Sequence, residues 1–263
     1  MTIAIYCVAY NSYKALNKYL QSIDAAAVKA KNISVFVFVA DNTLTGCKDI
    51  TYQTKNFHLR TFPFHENHGY FGAVRKMMEE ESPLQFDFSV ISNVDIILSD
   101  RIFSQLAEVC TPDLGWIAPR IFSEKRGYDR NPQRTQRYSL RQLHLLRFFF
   151  KHPILHYIYH NTLRKRKKFL THEPGKVYSG HGACIILTKE YFTRCGIIDY
   201  PIFLYDEELY LAEQCRTNGL VVEYKPSIQI TDFEGVSTSK MRKRDYYRYN
   251  YEGINYIINT FYK

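Results

Sequence analysis

Several stretches of the sequence place oxygen-bearing side chains where they can do chemistry. In FSVISNVDIILSD, Phe88 to Asp100, an apolar run breaks at Asn93-Val94-Asp95 and resumes at Ile96-Ile97-Leu98. Two such side chains, one residue apart at a strand end, can share a divalent cation. Mg²⁺ and Mn²⁺ prefer oxygen ligands together with substrate phosphates. The alternative is an Asx turn that caps the strand. In YDEELYL, Tyr205 to Leu211, three carboxylates stand in a row: Asp206, Glu207 and Glu208. They are either a working carboxylate set or an acidic first turn that complements its own helix dipole. Tyr10-Asn11 and Asp41-Asn42 follow two further apolar runs.

The elements that would position these residues alternate in period. Residues 3–9 are a short apolar run. Residues 13–30 carry Leu16, Tyr19, Leu20 and Ile23 at helical spacing, and residues 35–40 are apolar and β-branched or aromatic. A third strand is expected over 57–64, a helix after Gly69, and a fourth strand over 86–92, with Ser99 or Asp100 capping the helix that follows. Continuous apolar strands alternating with helices predict a mostly parallel sheet covered on both faces. Ligands of such sheets sit beyond the carboxyl ends of the strands, where Tyr10, Asn11, Asp41, Asn93 and Asp95 fall.

Four segments share an order with a known family: CVAYNS with VADNTLTG; HENHGYFGAVRKMM; ISNVDI; and the block from YSGHGAC through YDEELYL to ITDFEGVSTS. In these the sequence resembles the family 2 glycosyltransferases of GT-A fold, in particular the bacterial rhamnosyltransferase-like branch that builds surface polysaccharides. The resemblance covers most of residues 3–119 and 177–239. It implies an inverting transfer of a sugar from a UDP- or dTDP-sugar donor to an acceptor hydroxyl, assisted by Mg²⁺ or Mn²⁺, with a lipid-linked saccharide as the expected acceptor. Asp41 would accept a hydrogen bond from the N3–H of uracil or thymine; the alternative is a helix N-cap. Asn67 and Gly69 match the family's Asn-x-Gly loop, whose glycines would let backbone approach the nucleotide. Arg75 and Lys76 follow as donor contacts. Asn93-Val94-Asp95 stands at the metal motif, with Asp95 the direct ligand because it brings negative charge. Glu208 aligns as general base, with Glu207 and Asp206 as competitors. Glu replaces the family's Asp at that place, and Asp232 replaces a metal-ligating His, either as an oxygen ligand or as part of a tight turn. His181 is expected to fill a strand end, with lining of the acceptor pocket as its alternative.

The formal charge of +9 is unevenly spread. Between Arg120 and Lys176 stand 15 Lys and Arg against 3 Asp and Glu, so the remainder is close to neutral. Within this segment Arg137, Arg141, His144, Arg147 and Lys151 recur at helical spacing among Leu and Phe, Pro153 ends or redirects the helix, and Arg164 to Lys168 read RKRKK. Such a pair of helices suits either an anionic membrane surface or packing on the core or in a homodimer, with the charges left in solvent. The residues 240–263 are expected to form a docked C-terminal helix rich in tyrosine.

The expectation is one domain over 1–263 with a basic helical insertion at about 120–176. The first residues lack the basic region of a secretory signal and no apolar run reaches membrane-span length, so the expected place is cytoplasmic, peripheral on the inner face of the membrane. The six cysteines form no C-x-x-C pair. His152, His156 and His160 lack a carboxylate or cysteine to complete a zinc set. Two alternatives stand beside the transferase: a sugar nucleotidyltransferase, and a non-catalytic membrane- or RNA-binding protein. Nucleic acid is the weaker partner because no RNP-like or KH-like motif accompanies the charge.

Overall fold

The central strand β1 (Thr2–Ala9) is buried along almost its whole length, and its two faces feed two different cores. Ile3, Ile5 and Cys7 pack with Leu16, Tyr19, Leu20 and Ile23 of α1 (Tyr13–Lys29), while Ala4 and Tyr6 point to the opposite layer. This is the period of two expected of a strand covered on both faces. The computed structural model describes residues 1–162, 172–233 and 241–262.

Along the chain follow β2 (Ser34–Asp41), β3 (His58–Pro63), α2 (Phe71–Glu80), β4 (Phe88–Asn93), β5 (Ile96–Leu98), α3 (Ile102–Ala107), β6 (Leu114–Ser123) and β7 (Tyr128–Asp129). Then come α4 (Leu140–Lys151), α5 (Pro153–Thr162), β8 (Gly175–Val177), β9 (Cys184–Thr188), α6 (Lys189–Cys195), α7 (Glu207–Thr217), β10 (Val221–Asp232) and α8 (Lys243–Phe261). The sheet order is β3-β2-β1-β4-β9-β6-β10-β5, with β7 on β6 and β8 on β10. β3, β2, β1 and β4 are mutually parallel. β9 enters antiparallel between β4 and β6, and β10 returns parallel to β6.

Register sets the site. Val8 pairs with Asn93 and Ala9 with Asp41, so the ends of β1, β2 and β4 share one edge. The strand order reverses at β1, where α/β sheets open a crevice. Residues 96–98 are a strand rather than a run leading to a helix: β5 pairs antiparallel with the end of β10, Asp232 opposite Ile96. This pairing carries Asp232 to Asp95. Neither Ser99 nor Asp100 caps α3; Arg101 holds that place without a side-chain cap, and Asp100 pairs with Lys29.

The segment 120–176 divides into two structures. Its start completes β6 and turns through β7 into a loop against the site, whereas 140–162 form the helical pair α4 and α5. Ser139 and Gln142 make a capping box that starts α4, and Pro153 opens α5, where a missing N–H costs least. Arg137 lies before α4 and belongs to the core side: it is bound to Glu213 and stacks on Tyr262. Arg164 to Lys168 lie outside the described residues. α8 docks through Ile254, Ile257 and Ile258. No helix among the described residues is long and apolar enough to cross a membrane.

Candidate active site

A cavity of about 830 Å³ opens at the shared strand edge, lined from the ends of β1, β4 and β10, the loop after β7, the segment 181–183, the start of α7 and the start of α8. It brings together Tyr10, Asn11, Asn67, Gly69, Asn93, Asp95, Asp206, Glu207, Glu208 and Asp232 from the sequence reading. Its size suits a drug-sized polar ligand.

At one end stand Asp95 and Asp232. The backbone carbonyl of Asp95 accepts from the Phe233 amide at 3.1 Å, which holds the two strands side by side. Both carboxylates are largely buried, and Asp232 is ion-paired with Arg130. Arg126 lines the same end. Two carboxylates and two guanidiniums meet at this end of the cavity, so its wall carries balanced charges. Among the described residues no group of three or more His, Cys, Asp or Glu is arranged to hold a metal. The donor set is nonetheless of the right kind for Mg²⁺ or Mn²⁺: hard carboxylate oxygens beside space for phosphate oxygens and water.

At the other end lies the acidic run. Tyr205 and Asp206 both have positive φ, +75° and +62°, a conformation that non-glycine residues adopt at a cost of about 1–3 kcal/mol each. The Tyr200 hydroxyl donates to the Tyr205 carbonyl at 2.9 Å and the Asp206 carbonyl accepts from the amides of Leu209 and Tyr210, so the strained turn is held at both sides. It points three successive carboxylates into different surroundings. Asp206 packs against α8 where Gly253 leaves room: a Cβ there would lie 2.5 Å from Asp206 Oδ2. Burial, with the Glu208 charge beside it, pushes the Asp206 carboxyl well up, and Glu207 rises for the same two causes. Glu208 also rises through burial, against the opposing pull of the Gly182 amide, Arg130 and Gln133. Its Oε1 accepts from the Gly182 N–H at 2.9 Å, and a Cβ at residue 182 would sit 2.7 Å from that oxygen. Gly182 is thus a seat for Glu208.

His181 lines the cavity rather than only filling a strand end. Its amide donates to Asn131 Oδ1 at 2.7 Å, and its Nδ1 accepts from the Ala183 amide at 3.0 Å. Burial, with Arg130 and Arg126 adding to it, pushes the imidazole down to about 3, so the ring is neutral with its proton on Nε2.

Three sequence-predicted residues fall outside the lining. Asp41 is buried at the end of β2, its carboxylate taking the Tyr13 hydroxyl at 2.7 Å and the Thr43 amide at 3.0 Å; no helix follows for it to cap, and Asn42 faces the cavity instead. Arg75 and Lys76 are on the solvent face of α2, opposite the buried Val74, Met77 and Met78. Arg75 is bound to Glu79 and Asp199, so this pair stays outside the cavity lining. Gly69 serves a contact the sequence does not reveal. With φ +74° it meets the Phe203 backbone so closely that a Cβ would run into that carbonyl oxygen. It tightens the loop onto the segment leading to the acidic turn while lining the cavity. The residues missed by sequence reasoning are Arg126, Arg130, Gln133 and Gly182. The first three lie in the segment whose pattern reads only as basic charge, and the Ser-Gly-His-Gly run is the available signal for Gly182.

The chain matches no protein-family model and no curated protein in sequence. Solved structures do resemble it. Residues 1–349 of TarS from S. aureus in complex with UDP-GlcNAc superpose with a TM-score of 0.61 at 12% identity, over 99% of this chain and 67% of that one. GalNAc-T7 with UDP, GalNAc and Mn²⁺ gives 0.59 at 10%, over 98% and 48%. The mannosyltransferase PcManGT from Pyrobaculum calidifontis with GDP-Man and Mn²⁺ gives 0.54 at 11%, over 89% and 57%. The fold is GT-A. The chain spans from about half to two thirds of the length of these GT-A neighbours. At such identities the likeness is one of fold, and it extends over nearly the whole of this chain.

Proposed function

We propose that this chain is an inverting glycosyltransferase that moves a hexosyl or rhamnosyl group from a UDP- or dTDP-sugar to an acceptor hydroxyl. The observation that carries the reading is the polarity of one cavity, with a cation- and carboxylate-lined end 93/95/126/130/232 facing an acidic corner 206–208. The diphosphate belongs at the first end. Arg126 and Arg130 donate to its oxygens, and Asn93 faces the ribose. Asp95 and Asp232 would hold Mg²⁺ or Mn²⁺ there, with Arg130 turning from Asp232 to phosphate. When bound, the cation neutralises charge on the departing diphosphate.

The acceptor hydroxyl comes to Glu208. Its carboxylate takes the proton as the oxygen forms its bond to the anomeric carbon and the carbon–phosphate-oxygen bond breaks, the electron pair leaving with the nucleoside diphosphate. Burial that raises the affinity of Glu208 for a proton makes it a stronger base, and the Gly182 amide fixes its aim. Glu207 and Asp206, whose carboxyls burial and the neighbouring Glu208 charge push up, shape the corner. Neutral His181 donates from Nε2 to a substrate oxygen between the two ends. Attack from the face opposite the diphosphate inverts the anomeric carbon.

The test is a thermal-shift screen of UDP- and dTDP-sugars with and without Mn²⁺ on wild type and Asp95→Ala. A nucleotide-specific rise in Tm that Mn²⁺ enhances and Asp95→Ala abolishes is expected, because a ligand that binds only the folded state raises apparent stability. No shift with any nucleotide at saturation contradicts the reading.

A further inference from the structure

The helices α4 and α5 carry a surface the catalytic reading does not use. Along α4, Leu143 is buried, Leu146 and Phe150 pack on the core, and Arg147 donates to Asn255 of α8 at 3.0 Å. The opposite stripe of α4 (Arg141, Leu145, Phe148 and Lys151) faces out. α5 continues it: Ile154 is 78% exposed and Leu155 45%, with Leu145 and Phe148 of α4 at 50% and 47%. Side chains this apolar are not left in water at such density on a surface that meets nothing.

The charge around them says what they meet. From Arg130 to His172 the sequence contains no Asp or Glu, while Arg141 and Lys151 stand among the exposed Leu and Phe. A second copy of this chain fits poorly. A twofold interface sets the same patch against itself and would bring this basic stripe against its own image with no carboxylate of the segment to neutralise it. A surface of anionic lipid headgroups over acyl chains satisfies both features, with apolar side chains entering the interface and Arg and Lys held at headgroup level.

We infer that the outer face of α4 and α5 docks this protein on an anionic lipid surface. The docking also places the cavity. α4 packs along α8, Phe150 contacts Tyr246 and Tyr247, and His156 meets Tyr247 at 3.1 Å; the same α8 contributes Asp245, Tyr249 and Asn250 to the cavity wall. A helix shared between the lipid-facing pair and the cavity sets the acidic corner near the bilayer plane. There an acceptor carried on a lipid presents its hydroxyl. This last step alone rests on the transferase reading.

The test is co-sedimentation of the full chain with vesicles of phosphatidylcholine, alone or with phosphatidylglycerol, at low and high salt. Binding to the mixed vesicles, lost at high salt and absent on phosphatidylcholine alone, is expected, because headgroup attraction is screened within a Debye length. Leu145→Glu with Ile154→Glu should weaken it by roughly tenfold or more, and Arg141→Gln with Lys151→Gln should reduce its salt dependence. Both pairs lie at exposed positions, and circular dichroism with an unchanged nucleotide-induced Tm shift shows that fold and cavity are intact. Equal binding by wild type and the Leu145→Glu, Ile154→Glu protein overturns the inference, as does no vesicle binding by wild type. A dimer in size-exclusion chromatography that this double variant dissociates also overturns it, in favour of a second copy. Vesicle binding without any nucleotide-sugar binding leaves the docking surface standing and removes the transferase reading.

Discussion

α7 carries glutamates of two opposite kinds. Glu213, in its second half, is fully buried and held by three donors: Arg137 at 2.7 Å, Tyr178 at 2.6 Å and Arg216 at 2.8 Å. Burial pushes its carboxyl up, but these three bonds outweigh it and hold the group below the usual carboxylate range. Glu208, in the first turn, has the Gly182 amide and Gln133, and burial carries it the other way. The same side chain on the same helix is held toward its charged form in one place and pushed toward its protonated form in the other. What differs is the number of cationic partners within reach, which separates a carboxylate that holds the fold from one that can do chemistry.

The largest effect should come from removing the acceptor. Glu208→Gln keeps the shape and the bond to Gly182 and should lower the transfer rate by roughly 10²–10⁴-fold, with nucleotide-sugar affinity unchanged in calorimetry. The pH profile sharpens the contrast. Because the Glu208 carboxyl is raised, the base is lost as pH falls through a value above the ordinary glutamate figure of about 4.3, so the acid limb of kcat/KM should lie above it. For stability the signs oppose. The depressed Glu213 contributes stability above its unfolded value that is lost as pH falls, whereas the raised Asp206 and Glu207 favour the fold at acid pH and weaken it as pH rises past the ordinary carboxylate range.

Arg137→Ala leaves Glu213 buried with one cation fewer and should cost about 3 kcal/mol, read as a lower urea midpoint, while the activity of the remaining folded protein is kept. Arg130→Gln acts at the other end of the cavity. It should weaken donor binding about tenfold, the scale of one hydrogen bond to a charged group, and leave the acid limb of the rate in place. Arg75→Ala should change neither activity nor donor affinity, since its partners Glu79 and Asp199 are exposed; a clear loss of affinity would return it to the donor site.

The sequence is most legible where local pattern and burial agree. β1, β2 and β4 read as strands because each is an unbroken apolar run, and their polar ends Tyr10-Asn11, Asp41 and Asn93 fall on one edge because parallel pairing puts them there. What could not be read depends on contacts distant in the chain. Asp232 reaches Asp95 only through the antiparallel strand β5, three residues long and indistinguishable in sequence from a run into a helix. Arg126 and Arg130 line the cavity because β7 folds back on β6, while composition merged them with the exposed helices that follow. Gly69 and Gly182 were visible as glycines. Their reasons, the Phe203 carbonyl and the Glu208 carboxylate, come from residues 134 and 26 positions away and appear only in three dimensions.

The central claim is that one cavity holds a nucleotide diphosphate at its 95/130/232 end with Glu208 across from it. A crystal structure of the chain grown with UDP and Mn²⁺ tests it most directly. The account predicts the diphosphate bound beside Asp95 with Arg130 turned from Asp232 toward phosphate, and open space between the terminal phosphate and Glu208 for a sugar. UDP bound elsewhere, or Arg130 still paired with Asp232 at saturating UDP and Mn²⁺, would contradict it.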